Sequence, residues 1–376
     1  MSTIHWTTGN TQQSARWHSE SAVHLPHRTV VADDRMKAND AYRQACEGTA
    51  LLWQGDFHNA RQLLQAMGRR IDGKTPRSST SLSESFHLHR RSSSHRARVL
   101  GKLLVLLDDD HRLALRRAPD VRQACLEAYG PPKGPTAVSL RELLGVIGAH
   151  QWRLKGVEVS ALGTRIHPHF GVFAPVRGEY VDLVAHTPFP RAIRLSPATS
   201  TAFDLGTGTG VLAAVLARRG IDHVAATDIS PRAMVCAREN AQRLALADRI
   251  EVSGPGLFPE GRADLIVCNP PWLPARPTSP IEQGVYDPDS TMLHSFLAGL
   301  SDHLRPGGEG WLILSDLAEH LGLRTRQQLL ETIQAANLRV VGKIDTKPRH
   351  PRAKDTTDPL HTARSAETTS LWRLTT

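Results

Sequence analysis

The stretch Thr201-Ala-Phe-Asp-Leu-Gly-Thr-Gly-Thr-Gly-Val-Leu-Ala-Ala-Val-Leu-Ala-Arg218 constrains the fold more than any other part of this chain. A strand-length segment runs into three alternating glycines, and an apolar run of helical length follows. Glycines between a strand and a helix allow a tight turn whose free backbone amides face outward. The alternation then continues: a strand at His223–Thr227, Ser230-Pro231 as N-cap and first helical residue, and a helix over Arg232–Leu244. Strands at Ile250–Val252, Leu265–Cys268 and Trp311–Leu314, a helix over 324–337, and strands at Val340–Ile344 and Ser370–Leu374 complete the pattern. Strands alternating with helices in this way predict an α/β fold. It is a Rossmann-like, doubly wound, mostly parallel sheet with an antiparallel last strand.

Upstream the pattern is weaker. Residues 1–30 are polar and aperiodic and read as a flexible tail. Helical spacing at Ala41–Cys46 and Ala60–Met67, and a helical stretch from Ala97 to about Tyr129, predict a mainly helical N-terminal domain. Ser139-Leu-Arg-Glu142 has capping-box spacing before a helix over Leu140–Ala149. The expected organisation is a tail at 1–30 and a helical accessory, substrate-recognition region at 31–153. A Ser/Arg/His-rich basic linker interrupts that region at 73–96, and a catalytic domain occupies 154–376.

Composition enters mainly as exclusion. No apolar run is long enough to span a bilayer, which predicts no membrane partner. No basic flank followed by an apolar segment opens the chain, and Cys46, Cys125, Cys236 and Cys268 lack ligand or CxxC spacing. These features predict a cytoplasmic protein with free thiols and no metal site. Asp108-Asp-Asp-His111 reads as a solvated turn, because adjacent side chains point in different directions. A net charge of +9 favours a polyanionic partner.

Two motifs carry chemistry. In Asp204, Gly206, Thr207, Gly208, Thr209 and Gly210 the backbone can approach a ligand closely. Val211 stands where a dinucleotide fingerprint needs Gly or Ala. Asp228 ends the second strand, where a carboxylate can take both hydroxyls of a ribose, with Ile229 beside it. Asn269-Pro-Pro-Trp272 ends the strand at Leu265–Cys268. The Asn269 side-chain oxygen and the Pro270 carbonyl can both accept from an NH2 group. Pro270 and Pro271 hold those carbonyls rigid, and Trp272 offers a face to a flat substrate. Together the motifs point to methyl transfer from S-adenosyl-L-methionine to a planar nitrogen, an amide or an exocyclic base amine.

On these residues the chain, over about 155–376, resembles class I S-adenosylmethionine-dependent methyltransferases of the small methyltransferase domain and HemK type. The resemblance implies that Asp204, Gly206, Gly208 and Gly210 cradle the methionine part of the cofactor. It further implies that Asp228 holds the ribose, that Asn269-Pro-Pro-Trp272 holds the target nitrogen, and that Phe170-Gly-Val-Phe173 covers the cofactor. Asn240 also matches a position that these sequences often fill with Asn. Relatives often carry an Asp near the adenine amine where Gly256 stands here, leaving Leu257, Phe258 and backbone groups for adenine.

The acceptor is open between classes. Lys347, Arg349, Arg352 and Lys354, in the connection between the last two strands, favour a nucleic-acid backbone. The favoured substrate is thus a base of RNA, ribosomal RNA or a ribosomal particle foremost. A protein glutamine is the alternative, and a non-catalytic RNA-binding or assembly protein is a third.

Overall fold

The computed structural model describes residues 2–73, 81–349 and 355–376. The chain divides into two compact units, the first made of Met1–Ser79 and His87–Gln151, the second of Thr80–Phe86 and Trp152–Thr376.

The first unit is an α/β structure, which corrects the expectation of a mainly helical region behind a flexible tail. Its six strands are β1 (Thr3–Thr8), β2 (Thr11–Trp17), β3 (Thr29–Ala32), β4 (Ala50–Trp53), β5 (Leu103–Leu107) and β6 (Thr136–Ser139). They form one sheet in the order β1-β2-β6-β5-β4-β3. The expected tail is a hairpin. Thr8 pairs with Thr11 across Gly9-Asn10, and Ile4, Trp6 and Ala15 are buried. The apolar run Leu103–Leu107, read as part of a helix, is a central strand between β4 and β6. Helices occupy Ala38–Cys46, Phe57–Asp72 and Arg122–Tyr129. Of the expected basic linker, residues 74–80 lie outside the described residues, and Leu82–Leu100 is a helix.

A helix does span Leu140–Lys155, but the capping box does not form. Glu142 instead accepts from the Ser19 hydroxyl, the Glu20 amide and the Tyr129 hydroxyl, and the Ser139 hydroxyl is buried without a partner. Long-range donors outcompete the local motif. The acidic run at 108–111 is a turn in which the His111 ring is buried against the Gly130 carbonyl. Among the described residues no group of side chains has the arrangement of a metal site. No described helix is long and apolar enough to cross a membrane.

The second unit opens with a small hairpin, β7 (Val157–Val159) and β8 (Thr164–Ile166). Its main sheet has seven strands: β9 (Thr201–Leu205), β10 (His223–Thr227), β11 (Ile250–Ser253), β12 (Ala263–Cys268), β13 (Leu304–Ser315), β14 (Arg339–Thr346) and β15 (Thr369–Thr375). The order is β11-β10-β9-β12-β13-β15-β14. The first five strands of that order run parallel, and β15 is antiparallel to both β13 and β14. This is the doubly wound sheet expected from the strand–helix alternation. The apolar helix Val211–Arg218 packs in the core on one side of the sheet, with Val224 and Leu265. Helix Thr291–His303 packs on the other side, with Phe203 and Ile266. The chain winds outward from β9 to β11, then returns to β12 on the other flank. The β9/β12 boundary is therefore the switch point, where such sheets leave a crevice at their carboxyl ends.

Candidate active site

Strand register builds the site. Thr227 of β10 is opposite Leu205 of β9, and Leu205 is opposite Cys268 of β12. The residues that follow, Asp228, Gly206 and Asn269, therefore leave the sheet in one row at its carboxyl edge. With strands about 4.8 Å apart, Asp228 and Asn269 are separated by roughly 10 Å of crevice, centred on the glycine loop.

That loop is held from beneath. Gly206, Gly208 and Gly210 have φ of +70°, +56° and +80°, a region closed to most other residues. The Asp204 carboxylate, 1% exposed, accepts from the Thr207 hydroxyl at 2.6 Å and the Ala213 amide at 2.9 Å. Burial pushes the Asp204 pKa up to about 6, with the charge of Asp228 adding to the rise and its two hydrogen bonds opposing it. Thr207 donates its amide to the Thr227 carbonyl, and the Asn240 amide group donates to the Thr209 carbonyl at 3.0 Å. Asn240 also accepts from the His167 amide at 2.9 Å, tying the loop to the segment after β8. The side chains of Asp204, Thr207 and Thr209 are thus buried braces of the loop, and only its backbone faces a ligand. A Cβ on Gly208 would meet nothing within 4 Å, so the space above the loop is open.

Asp228 braces the loop. Its carboxylate accepts from the Gly208 amide at 2.9 Å and the Ser230 amide at 2.8 Å, one on each oxygen. Burial raises its pKa, while these amides and that of Ile229 pull the other way. Ile229 next to it is 80% exposed, an apolar side chain at the mouth of the crevice. Leu257 lies nearby, its carbonyl accepting from the Thr227 hydroxyl, and Phe258 stacks on His303 at 4.2 Å. Gly256 has only one atom within 4 Å of a Cβ position, so no side chain stands where relatives place the adenine-binding acid.

On the other flank, the Asn269 side-chain oxygen accepts from the Trp272 indole N–H at 2.9 Å. Pro270 is buried and Pro271 half-buried. Trp272 does not stand free as a stacking platform: Arg177 lies over its ring, 4.7 Å from the centroid. The chain after Trp272 is pinned by Leu273, whose amide donates to Val285 and whose carbonyl accepts from Asp287. The Phe170–Phe173 segment touches both flanks, Phe170 under Arg232 and Phe173 against Gly284.

The basic connection is described only in part. Lys347 donates to the Ala366 and Glu367 carbonyls and the Thr368 hydroxyl, and Arg349 pairs with Asp182 at 3.0 Å. Both cations turn back onto their own unit, and Arg352 and Lys354 lie outside the described residues. Arg177, Glu179 and Glu367 were missed by sequence reasoning, since no local motif links residues 190 positions apart.

The doubly wound sheet brings the braced glycine loop, Asp228 and Asn269-Pro-Pro-Trp272 to one row at its carboxyl edge. Residues 191–338, within the second unit, match the family model of the methyltransferase small domain. The chain is 35% identical over 165 residues to the release factor glutamine methyltransferase of Cereibacter sphaeroides, covering 40% of this chain and 58% of that protein. It is 36% identical over 96 residues to the ribosomal protein L11 methyltransferase of Vibrio parahaemolyticus, covering 25% and 32%. The chain thus spans between a third and three fifths of the length of these relatives. The solved ribosomal protein L11 methylase of Lactobacillus delbrueckii subsp. bulgaricus superposes with a TM-score of 0.36 at 19% identity, over 54% of this chain and 80% of that one. The strand order itself, rather than a superposition of that size, carries the fold assignment.

Proposed function

We propose that this protein transfers the methyl group of S-adenosyl-L-methionine to a planar nitrogen, with a protein side-chain amide as the favoured acceptor. The observation that carries the reading is the row of Asp228, Gly206 and Asn269, set by strand register. The crevice suits the cofactor: Asp228 offers lone pairs to ribose hydroxyls, the open backbone at Gly208 admits close approach, and Ile229 and Leu257 flank an apolar ring. Bound there, the cofactor supplies a methyl group already activated on a sulfonium. The protein's own task is positioning and exclusion of water. One lone pair of the Asn269 oxygen is taken by Trp272, and the other, with the Pro270 carbonyl, can accept from the target NH2 and aim its lone pair.

Three features move the acceptor from RNA toward protein. Lys347 and Arg349 are spent within the fold, carboxylates of Glu179 and Glu367 lie behind Trp272, and one of the relatives named above is a glutamine methyltransferase. The four free cysteines fit action in a reducing compartment.

The test is transfer of label from S-adenosylmethionine to fractionated protein and RNA of the host. Label should enter protein and survive ribonuclease, and Asn269→Ala should lower incorporation a hundredfold or so while keeping affinity for S-adenosylhomocysteine. Lys347→Ala with Arg349→Ala should leave incorporation near normal. Label in RNA that falls with that double substitution would reverse the choice of acceptor.

A further inference from the structure

The groups behind Asn269 form a continuous chain. Trp272 donates its indole N–H to the Asn269 oxygen at 2.9 Å. The Arg177 guanidinium lies over the Trp272 ring at 4.7 Å. Arg177 in turn donates from Nε to Glu179 at 2.7 Å and from a terminal nitrogen to Glu367 at 2.9 Å. The Glu179 and Glu367 side chains are 1% and 3% exposed, and that of Arg177 19%. Glu367 is itself held by the Ser315 hydroxyl at 2.7 Å, and that hydroxyl accepts from the Leu317 amide.

These contacts join four separated parts of the chain. Arg177 and Glu179 sit at the start of helix Gly178–His186, Asn269 and Trp272 follow β12, Ser315 ends β13, and Glu367 precedes β15. Two buried carboxylates paired to one side chain need its cation, and the guanidinium carbon stands 4.7 Å from the indole centroid, within cation–π reach. The ring is thereby fixed from its face while its N–H is spent on Asn269. A side-chain amide presents either its oxygen or its NH2 group, and the indole, which can only donate, selects the oxygen.

We propose that Arg177, clamped by Glu179 and Glu367, is a positioning residue that acts through Trp272 to hold the Asn269 oxygen toward the acceptor amine. This rests on the reading that Asn269 receives that amine. It assigns Trp272 a role that neither Phe nor Tyr fills, because Phe has no donor and the hydroxyl of Tyr extends from a different point of the ring. Trp272 orients the amide, whether or not a substrate also stacks on it.

The experiment uses the full chain, with indole 15N–1H resonances recorded for its seven tryptophans and Trp272 identified by the signal lost in Trp272→Phe. Arg177→Lys keeps a cation beside the carboxylates, so the unit folds, but removes the guanidinium from the indole face. The Trp272 signal should shift in Arg177→Lys and its N–H should exchange with water at least tenfold faster. Loss of one neutral hydrogen bond's worth of orientation corresponds to about tenfold in kcat for label transfer into host protein. KM for S-adenosylmethionine should stay within about twofold, since neither residue braces the glycine loop or Asp228. The double variant should be no slower than Trp272→Phe alone, because the two act in series. An unmoved Trp272 signal in Arg177→Lys, or losses in kcat that multiply, would overturn the proposal. If Asn269→Ala transfers label at the native rate, the methyl-acceptor reading fails and the proposal with it, whatever the indole signal shows. If Asn269→Ala is inactive but Arg177→Lys keeps the native kcat, only the tether fails.

Discussion

Asp204 should make the second unit less stable at neutral pH than at pH 4, in a way that asparagine would abolish. Its carboxyl group is 1% exposed and accepts from the Thr207 hydroxyl and the Ala213 amide through the same oxygen. Burial lifts its pKa from 3.8 to about 6 in the folded protein. The sign follows from linkage: a carboxyl group whose folded pKa is raised binds its proton more tightly in the folded state. Stability attributable to it therefore falls as pH rises through the window from about 4 to 6 and stays low above it. A rise of about two units corresponds to roughly 3 kcal/mol. Asp204→Asn keeps an oxygen for both donors but cannot ionise. The difference in unfolding free energy, variant minus native, should thus be larger at pH 7.5 than at pH 4 by up to about 3 kcal/mol. Taking that difference between two pH values cancels any fixed cost of the amide. Urea unfolding read from the indole resonance of Trp311, fully buried in the second unit, isolates this unit from the first. A difference that stays constant to within about 0.5 kcal/mol between the two pH values would refute the reasoning.

Cofactor affinity should depend on the row's outer member: Asp228→Ala should weaken S-adenosylhomocysteine binding about ten- to a hundredfold by calorimetry. Gly208→Val should weaken it further, because its φ of +56° resists a branched side chain and the space above it would be filled. Asn240→Ala should cost about 1–3 kcal/mol in urea unfolding of the second unit, since it strips partners from the Thr209 carbonyl and the His167 amide.

The second unit was legible because its signals are redundant. The strands Thr201–Leu205 and Leu265–Cys268 are apolar runs closed by Gly206 and by Asn269-Pro270, and the Ser230-Pro231 cap fixes where the next helix begins. The first unit lacked such punctuation. Ala50–Trp53 is a four-residue strand buried on both faces, and Leu103–Leu107 is nearly so, and short apolar runs of this kind fit helix and strand equally. The N-terminal hairpin did carry a signal, the two-residue turn Gly9-Asn10 between Ile4, Trp6 and Ala15, but its exposed face is polar, with His5, Thr7, Gln12 and Ser14 on it. Glu142 shows a different limit. Its spacing to Ser139 was right for a cap, and only the fold brings Ser19, Glu20 and Tyr129 to compete for it.

The two flanks of the site are fixed by different means, and that difference dictates how they should fail. On the proposed cofactor flank the loop backbone is held by the Thr227 carbonyl, by Asp228 and Asp204, and by Asn240. Every brace there also belongs to the fold of the loop, so substitutions such as Asn240→Ala should lower stability and cofactor affinity together. On the acceptor flank the working atom is one side-chain oxygen, held by an indole that is held by a guanidinium. None of these contacts supports the glycine loop. Conservative changes at Trp272 or Arg177 should therefore lower turnover while leaving cofactor affinity and unfolding nearly unchanged. The glycine loop and Asn-Pro-Pro-Trp could be read from local sequence, but the tether could not. Its parts are Trp272, Arg177 and Glu367, drawn together only when β15 closes beside β13.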